Sequence, residues 1–343
     1  MRSMQSSARR SGWRVAVVVI ALAAACSKAP TAPTPTPTPT PVPPPPTANA
    51  PTLACVEGIT RSTVNAGGVT LDFDTPPVTD GQGSVTVACS PGSGANFAIG
   101  TTQVNCTATD SLSRTGSCSF NVTINKLPTL SKTRYLAFGD SITAGEVTFP
   151  VGSSVRGEGL ITRQIVVPAA SYPTVLLNTL RGRYASQAGA MEVFNYGLGG
   201  ERVINARNRF FAALNTTRPE VLLLLEGAND IPLGADGAAS SAANEVRIWV
   251  AEAKARGIRV FLATPAPGRP GNKTIQPALL LDYANRMRAV AAQEGVTLVD
   301  IYGLMLPDAL RYIGVDGLHP NEQGYARIAD LFFQAIQSEF EVR

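Results

Sequence analysis

Tyr135-Leu136-Ala137-Phe138-Gly139-Asp140-Ser141-Ile142-Thr143 decides the fold: four apolar residues in a row, a glycine, then a polar turn. A short apolar run bounded by turn residues is the pattern of a strand buried on both faces. The pattern recurs at residues 193–195, 221–225, 260–263 and 296–299. Between the runs lie stretches of helical period, one through Val246, Trp249, Val250 and Ala253 closed by Gly257. A second passes through Leu280, Ala284, Met287 and Ala291 and is closed by Gly295. Strands alternating with helices imply a parallel sheet covered on both faces, an α/β fold.

In such sheets a site forms beyond the carboxyl ends of the strands. The first strand ends Gly139-Asp140-Ser141, the second Asn195-Tyr196-Gly197-Leu198-Gly199-Gly200-Glu201, and the third Glu226-Gly227-Ala228-Asn229-Asp230. After the last strand comes Asp316-Gly317-Leu318-His319-Pro320-Asn321, then an amphipathic helix marked by Tyr325, Ile328, Phe332, Ala335 and Ile336. Singly, each segment is ordinary. Gly-Asp-Ser arises by chance in roughly one chain in ten of this length, glycine and asparagine are common turn residues, and Asp316 reads equally well as a helix cap. Together they fall, in order, where one cleft should form.

A serine hydroxyl attacks only if a base takes its proton. The chain has a single histidine, so an imidazole base can only be His319. Asp316, three residues earlier, can accept from Nδ1–H and fix the tautomer that leaves Nε2 facing Ser141. Asp140 and Asp230 are expected to shape their turns. One histidine and no Ca²⁺-loop spacing leave no metal cluster, so no metal and no cofactor are expected.

In order and identity these four blocks resemble the SGNH hydrolases, or GDSL-type esterases and lipases, over about residues 133–340. Ile142 stands where that name has a leucine, an apolar exchange away from the chemistry. The resemblance implies a three-layer α/β/α flavodoxin-like sandwich with a parallel sheet. It implies a nucleophile Ser141 with Asp316 and His319, and an oxyanion hole of the Ser141 amide, the Gly200 amide and the Asn229 side chain. It also implies hydrolysis of carboxylic esters through an acyl-serine, on a small or polymeric substrate such as O-acyl groups of extracellular carbohydrate or lipid. Glycine at 200 lets the backbone approach the substrate. Residues 146–173, rich in Gly, Val and Ser, read as a lid, an acyl-pocket loop or a surface insertion. The competing reading is a surface adhesion lipoprotein whose hydrolase-like domain has lost activity.

Upstream, residues 52–125 carry short alternating segments separated by Gly, Pro, Asp and Ser, the pattern of a small β-sandwich. Cys89-Ser90-Pro91, Phe97-Ala98-Ile99-Gly100-Thr101-Thr102, Val104-Asn105-Cys106-Thr107-Ala108-Thr109-Asp110 and Cys118-Ser119-Phe120 resemble a hyalin repeat (HYR) domain, an immunoglobulin-like adhesion module. That likeness implies spacing, or contact with a surface or carbohydrate. The segment holds Cys55, Cys89, Cys106 and Cys118. Four cysteines allow three pairings, of which Cys89–Cys106 with Cys55–Cys118 is favoured.

The N-terminus reads as an export signal. Basic residues precede an eleven-residue apolar run, 15–25, too short for a membrane span. It ends Leu22-Ala23-Ala24-Ala25-Cys26-Ser27, which resembles a bacterial lipobox and implies lipid on Cys26, a membrane anchor and a periplasmic or cell-surface location. An ordinary signal peptide with an incidental cysteine is the alternative. Assigning Cys26 to lipid removes the odd one of five cysteines and leaves an even set for disulfides. The expected organisation is therefore a signal peptide at 1–25, a linker at 26–50, an HYR domain at 51–126 and a hydrolase domain at 127–343. The linker is almost wholly Pro, Thr and Ala, an extended spacer of up to about 70 Å. Of 343 residues 44% are hydrophobic and 16% charged, with a net charge of +4. No basic stripe carries interleaved aromatics, so no nucleic-acid partner is expected.

Overall fold

The computed structural model describes residues 49–153, 160–231 and 237–342. The expected signal peptide, Cys26 and the Pro/Thr-rich stretch up to residue 48 lie outside the described residues.

Residues 52–126 form a small β domain. Its strands are β1 (Thr52–Leu53), β2 (Ile59–Thr63), β3 (Val69–Leu71), β4 (Val78–Thr79), β5 (Thr86–Ser90), β6 (Ala95–Phe97), β7 (Gly100–Thr109) and β8 (Thr115–Lys126). Four of them make a sheet in the order β2-β8-β7-β5, with β2 parallel to β8 and the other pairs antiparallel. The alternation in β7 and β8 puts Val104, Cys106, Ala108, Phe120, Val122 and Ile124 on one buried face. The two-stranded pairs β1–β4 and β3–β6 supply Leu53, Leu71 and Phe97 to the same core. Cys55 is bonded to Cys118 and Cys89 to Cys106.

Strand β9 (Thr129–Leu130) pairs with β17 (Glu341–Val342) at the other end of the chain, and Leu130 is buried in the core of the α/β domain. That domain is built on β10 (Arg134–Gly139), β13 (Glu192–Gly197), β14 (Val221–Leu225), β15 (Arg259–Ala263) and β16 (Thr297–Val299). All are parallel, in the order β13-β10-β14-β15-β16. Every residue of β14 is buried, and its side chains divide by parity. Val221, Leu223 and Leu225 enter one core with Leu176, Leu180, Ile328, Phe332 and Ile336, from α2 (Tyr172–Arg183) and α8 (Glu322–Phe340). Leu222 and Leu224 enter the other, with Phe210, Trp249 and Met287 from α3 (Val203–Thr217), α4 (Ala238–Ala255) and α5 (Pro277–Glu294). Two cores on opposite faces make the three layers expected from the sequence.

The order reverses at β10, whose neighbours β13 and β14 continue to opposite sides, and the crevice at that switch point is where a ligand fits. Two glycines keep the strand ends close there. A Cβ at Gly139 would lie 2.0 Å from the Leu225 carbonyl oxygen, and one at Gly197 would lie 2.0 Å from the Ala144 amide nitrogen. Residues 146–173 are mostly a hairpin rather than a loop, with β11 (Glu146–Ser153) antiparallel to β12 (Leu160–Val166).

Candidate active site

Ser141 opens α1 (Ser141–Ala144), a single turn that follows β10 directly. Asp140 caps it: the Asp140 carboxylate accepts from the Ile142 amide at 2.9 Å. As the first helical residue, Ser141 has an N–H with no intrahelical acceptor.

His319 comes to Ser141 from the opposite end of the sequence. A tight turn between α7 (Ala309–Tyr312) and α8 carries it, closed by the Gly314 amide donating to the His319 carbonyl at 2.7 Å. Asp316 organises this turn with both oxygens. Oδ1 accepts from the Leu318 and His319 amides, each at 3.0 Å, and Oδ2 lies 2.6 Å from His319 Nδ1. With Nδ1–H donated to the carboxylate, Nε2 presents a lone pair, and the Ser141 hydroxyl donates to it at 2.9 Å. Asp316, His319 and Ser141 are all buried. Burial acts to raise Asp316, but the bonds from the His319 ring and from the Leu318 and His319 amides outweigh it and hold the carboxyl below its ordinary value.

The turn is braced from behind by residues 268–276. The Lys273 amide donates to the Asp316 carbonyl at 2.7 Å and the Arg269 amide to the Gly317 carbonyl at 3.1 Å. Only glycine fits at 271, where a Cβ would lie 2.2 Å from the Asp316 carbonyl carbon.

Ser141 and His319 open on a cleft of about 330 Å³ whose other walls are Gln164, Gly200, Asn229, Lys273 and Leu318. Both expected oxyanion donors outside Ser141 therefore line it. Gly200 has φ +75, a left-handed backbone that glycine adopts readily. A Cβ there would meet nothing within 4 Å, so backbone conformation, beside the expected approach of substrate, accounts for glycine. Asn229 Nδ2 donates to the Glu201 carbonyl at 2.8 Å, which uses one of its two N–H groups and fixes the amide's orientation.

Other strand-end residues serve as scaffolding. Asn195 accepts from the Gly197 amide at 3.0 Å and does not line the cleft. Asp230 does more than shape its own turn, because its carboxylate accepts from the Val203 amide at 2.9 Å and so caps α3 across 27 residues of sequence. Glu226 is buried beside these groups, and its burial raises the carboxyl well above its usual range, towards the neutral form. Among the described residues no group of three or more His, Cys, Asp or Glu side chains is arranged to hold a metal ion.

Sequence reasoning missed three residues at the site, two of them on the hairpin. Gln164 Nε2 lies 3.3 Å from His319 Nε2, and Glu146 Oε2 lies 3.8 Å from it. Lys273, from the bracing loop, is bonded to Gln164 Oε1. The β-branched residues Ile161, Thr162, Ile165 and Val166 were a weak strand signal without alternation; nothing in the run shows which side chain would reach the imidazole.

The GDSL-like Lipase/Acylhydrolase family model matches residues 137–327, more than half of the chain and all of the blocks that meet in this cleft. The chain belongs to that family. Its GDSL-like domain is a carboxylic ester hydrolase domain. The HYR domain model matches residues 47–124, and HYR modules are typical of extracellular proteins. A curated relative, an acetylxylan esterase of Xylanibacter ruminicola, is 32% identical over 88 residues, 25% of this chain and 18% of that protein's length. A lipase/acylhydrolase structure from Enterococcus faecalis aligns at 20% identity and TM-score 0.48, covering 61% of this chain and 97% of that one. An α/β-hydrolase from the metagenome of Lake Arreo, Spain, aligns at 24% identity and TM-score 0.48, covering 60% and 95%. No helix among the described residues is long and apolar enough to cross a membrane.

Two outcomes follow from the geometry of the GDSL-like domain. Asn229→Ala is expected to lower kcat at least about a hundredfold by removing an oxyanion donor, and to cost about 1 kcal/mol of stability through the lost bond to Glu201. Full turnover in that variant contradicts the assignment. Burial pushes the Asp140 carboxyl up from 3.8 to about 6, against the bond from the Ile142 amide. Because the folded value is the higher one, its contribution to stability is complete below about pH 4 and is lost as pH rises through about 6. Asp140→Asn keeps a capping acceptor but cannot ionise, so it should gain up to about 3 kcal/mol on the wild type between pH 4 and pH 7. Parallel unfolding curves at the two pH values contradict this.

Proposed function

We propose that the chain is an exported serine esterase that removes small O-acyl groups from extracellular carbohydrate, with Ser141 as nucleophile, His319 as base and Asp316 as its orienting carboxylate. The observation that carries this reading is the 2.9 Å contact between Ser141 Oγ and His319 Nε2 at the wall of an open cleft.

The steps follow from the positions of these atoms. As Oγ attacks the ester carbonyl, its proton passes to Nε2, and the imidazolium that forms faces the Asp316 carboxylate across 2.6 Å. The carbonyl oxygen becomes an oxyanion, which the amides of Ser141 and Gly200 and the free N–H of Asn229 are disposed to receive. Nε2 then gives its proton to the departing alkoxide, leaving an acyl-serine and the free alcohol. Water, deprotonated by the same nitrogen, attacks the acyl-serine, releases the carboxylic acid and restores the hydroxyl.

Four features support a carbohydrate ester with a short acyl group. Of the seven described residues lining the cleft, Leu318 is the only large apolar one, which suits a compact acyl group better than a long hydrocarbon chain. The remaining walls are hydrogen-bonding groups that match a polyhydroxylated alcohol. The attached HYR module suits action at a surface, and the relative from Xylanibacter ruminicola is named for an acetylated polysaccharide. Export, with anchoring through a lipid on Cys26 and the Pro/Thr-rich segment as a spacer, completes the proposal.

The test is hydrolysis of p-nitrophenyl esters from acetyl to palmitoyl by purified protein. The acetyl ester should be cleaved fastest, and Ser141→Ala should lower kcat/KM at least about a thousandfold with its unfolding midpoint retained. Equal rates for Ser141→Ala and wild type would remove the serine mechanism, and a preference for palmitoyl would remove the carbohydrate reading.

A further inference from the structure

Resting on that reading, we propose that Gln164 and Lys273 form the subsite for the departing alcohol, and that this subsite selects an acidic sugar, one carrying a carboxylate near the acylated hydroxyl.

The location follows from the proton transfer. The alkoxide that leaves must take its proton from His319 Nε2, so the alcohol half of the ester has to lie within hydrogen-bond reach of that atom. The acyl half is fixed on the other side by the donors at Gly200 and Asn229. Gln164 is the cleft side chain beside Nε2, its amide nitrogen 3.3 Å away. Its amide oxygen in turn accepts from the Lys273 ammonium. The ammonium therefore stands one amide group beyond the imidazole, within reach of a substituent on the sugar ring whose oxygen is being released.

Both side chains are held in register with the catalytic turn. Lys273 sits in the loop whose own backbone amide holds the Asp316 carbonyl, and Gln164 lies on β12. Loop and hairpin are tied a second time by Asn272 Nδ2 donating to Thr162 Oγ1 at 3.2 Å.

The charge identifies the ligand. Lys132 and Lys254 are paired with Glu220 and Glu294, whereas Lys273 is held by a neutral amide and forms no ion pair within 4.0 Å among the described residues. Glu146, the carboxylate 3.8 Å from His319 Nε2, is packed against Gly199, next to the oxyanion donor Gly200. Glu146 does not line the cleft, whereas Lys273 does, so the one ammonium or guanidinium among the described cleft-lining residues stands beside Gln164 on the alcohol side. An uncharged acyl group on an alcohol bearing a carboxylate complements that charge, and a charge-assisted hydrogen bond to Lys273 is worth about tenfold or more in binding.

The test uses a matched pair of substrates, an O-acetyl methyl glucuronoside and the O-acetyl methyl glucoside that has a hydroxymethyl group in place of the carboxylate. Wild type should show kcat/KM at least about tenfold higher on the uronate at low ionic strength, expressed mainly in KM, with the ratio falling as salt screens the ammonium. Lys273→Arg should keep the preference, Lys273→Met should bring the ratio close to one, and Lys273→Glu should reverse it. Cleavage of p-nitrophenyl acetate without discrimination between the two sugars overturns the subsite alone, as does a preference that survives Lys273→Met. A protein inert towards all three esters overturns the esterase reading and the subsite with it.

Discussion

The Asp316 carboxylate is the constraint on which the site depends. Its Oδ1 builds the turn by accepting two backbone amides, and its Oδ2 orients the imidazole on the same turn. One buried group therefore sets both where His319 stands and which nitrogen faces Ser141. A lone buried carboxylate would be costly, since desolvation penalises its charged form. Here three donors more than offset that penalty, and the carboxyl is held below its ordinary value. Amides from residues 268–276 brace the carbonyls of the same turn. The imidazole is thus fixed by backbone geometry as well as by side-chain packing, which is the preorganisation that proton transfer to a defined nitrogen would require.

The sheet supplies the other half. Ser141 is placed by the end of β10, the strand at which the sheet order reverses, with β13 on one side and β14 on the other. Two dry cores clamp the sheet from its two faces, with Val221, Leu223 and Leu225 on one side and Leu222 and Leu224 on the other. Gly139 lets the end of β10 approach β14, and Gly197 lets the end of β13 approach α1, more closely than any side chain would allow. Capping then converts strand ends into helix starts: Asp140 holds α1, and Asp230, from the turn after β14, holds α3. Residues beside the chemistry act here as mechanical supports.

Much of this was legible in the sequence, because the features concerned are local or periodic. The five apolar runs became the five strands, and the parity of β14 follows directly from residues 221–225. The meeting of Ser141, His319 and Asp316 was legible for a compositional reason: with one histidine in the chain, no other imidazole competed for the place. Asn195 and Gly200 could be placed at a strand end, but that Asn195 supports the strand end while Gly200 faces the cleft depends on packing. The capping of α3 by Asp230 was hidden, since neither residue marks the other in sequence. The hairpin of residues 146–166 was hidden for two reasons. Its strands carry a mixed polar and apolar face pattern, and the contact of Gln164 with His319 spans 155 residues. A strand signal gives the alternation of side chains, whereas the surface those side chains meet is decided by tertiary structure.

The fold thus brings a hydroxyl, an imidazole and a carboxylate into one hydrogen-bonded line, beside a cleft that Gly200, Asn229, Gln164 and Lys273 also line. Whether that line is the reacting one is decided most directly by covalent trapping: incubation with a fluorophosphonate, then peptide mass mapping alongside residual esterase activity. A single adduct on Ser141, formed in step with loss of activity and absent from Ser141→Ala, is the predicted result. Esterase activity that persists with Ser141 fully modified, or an adduct formed only at another residue, would contradict it.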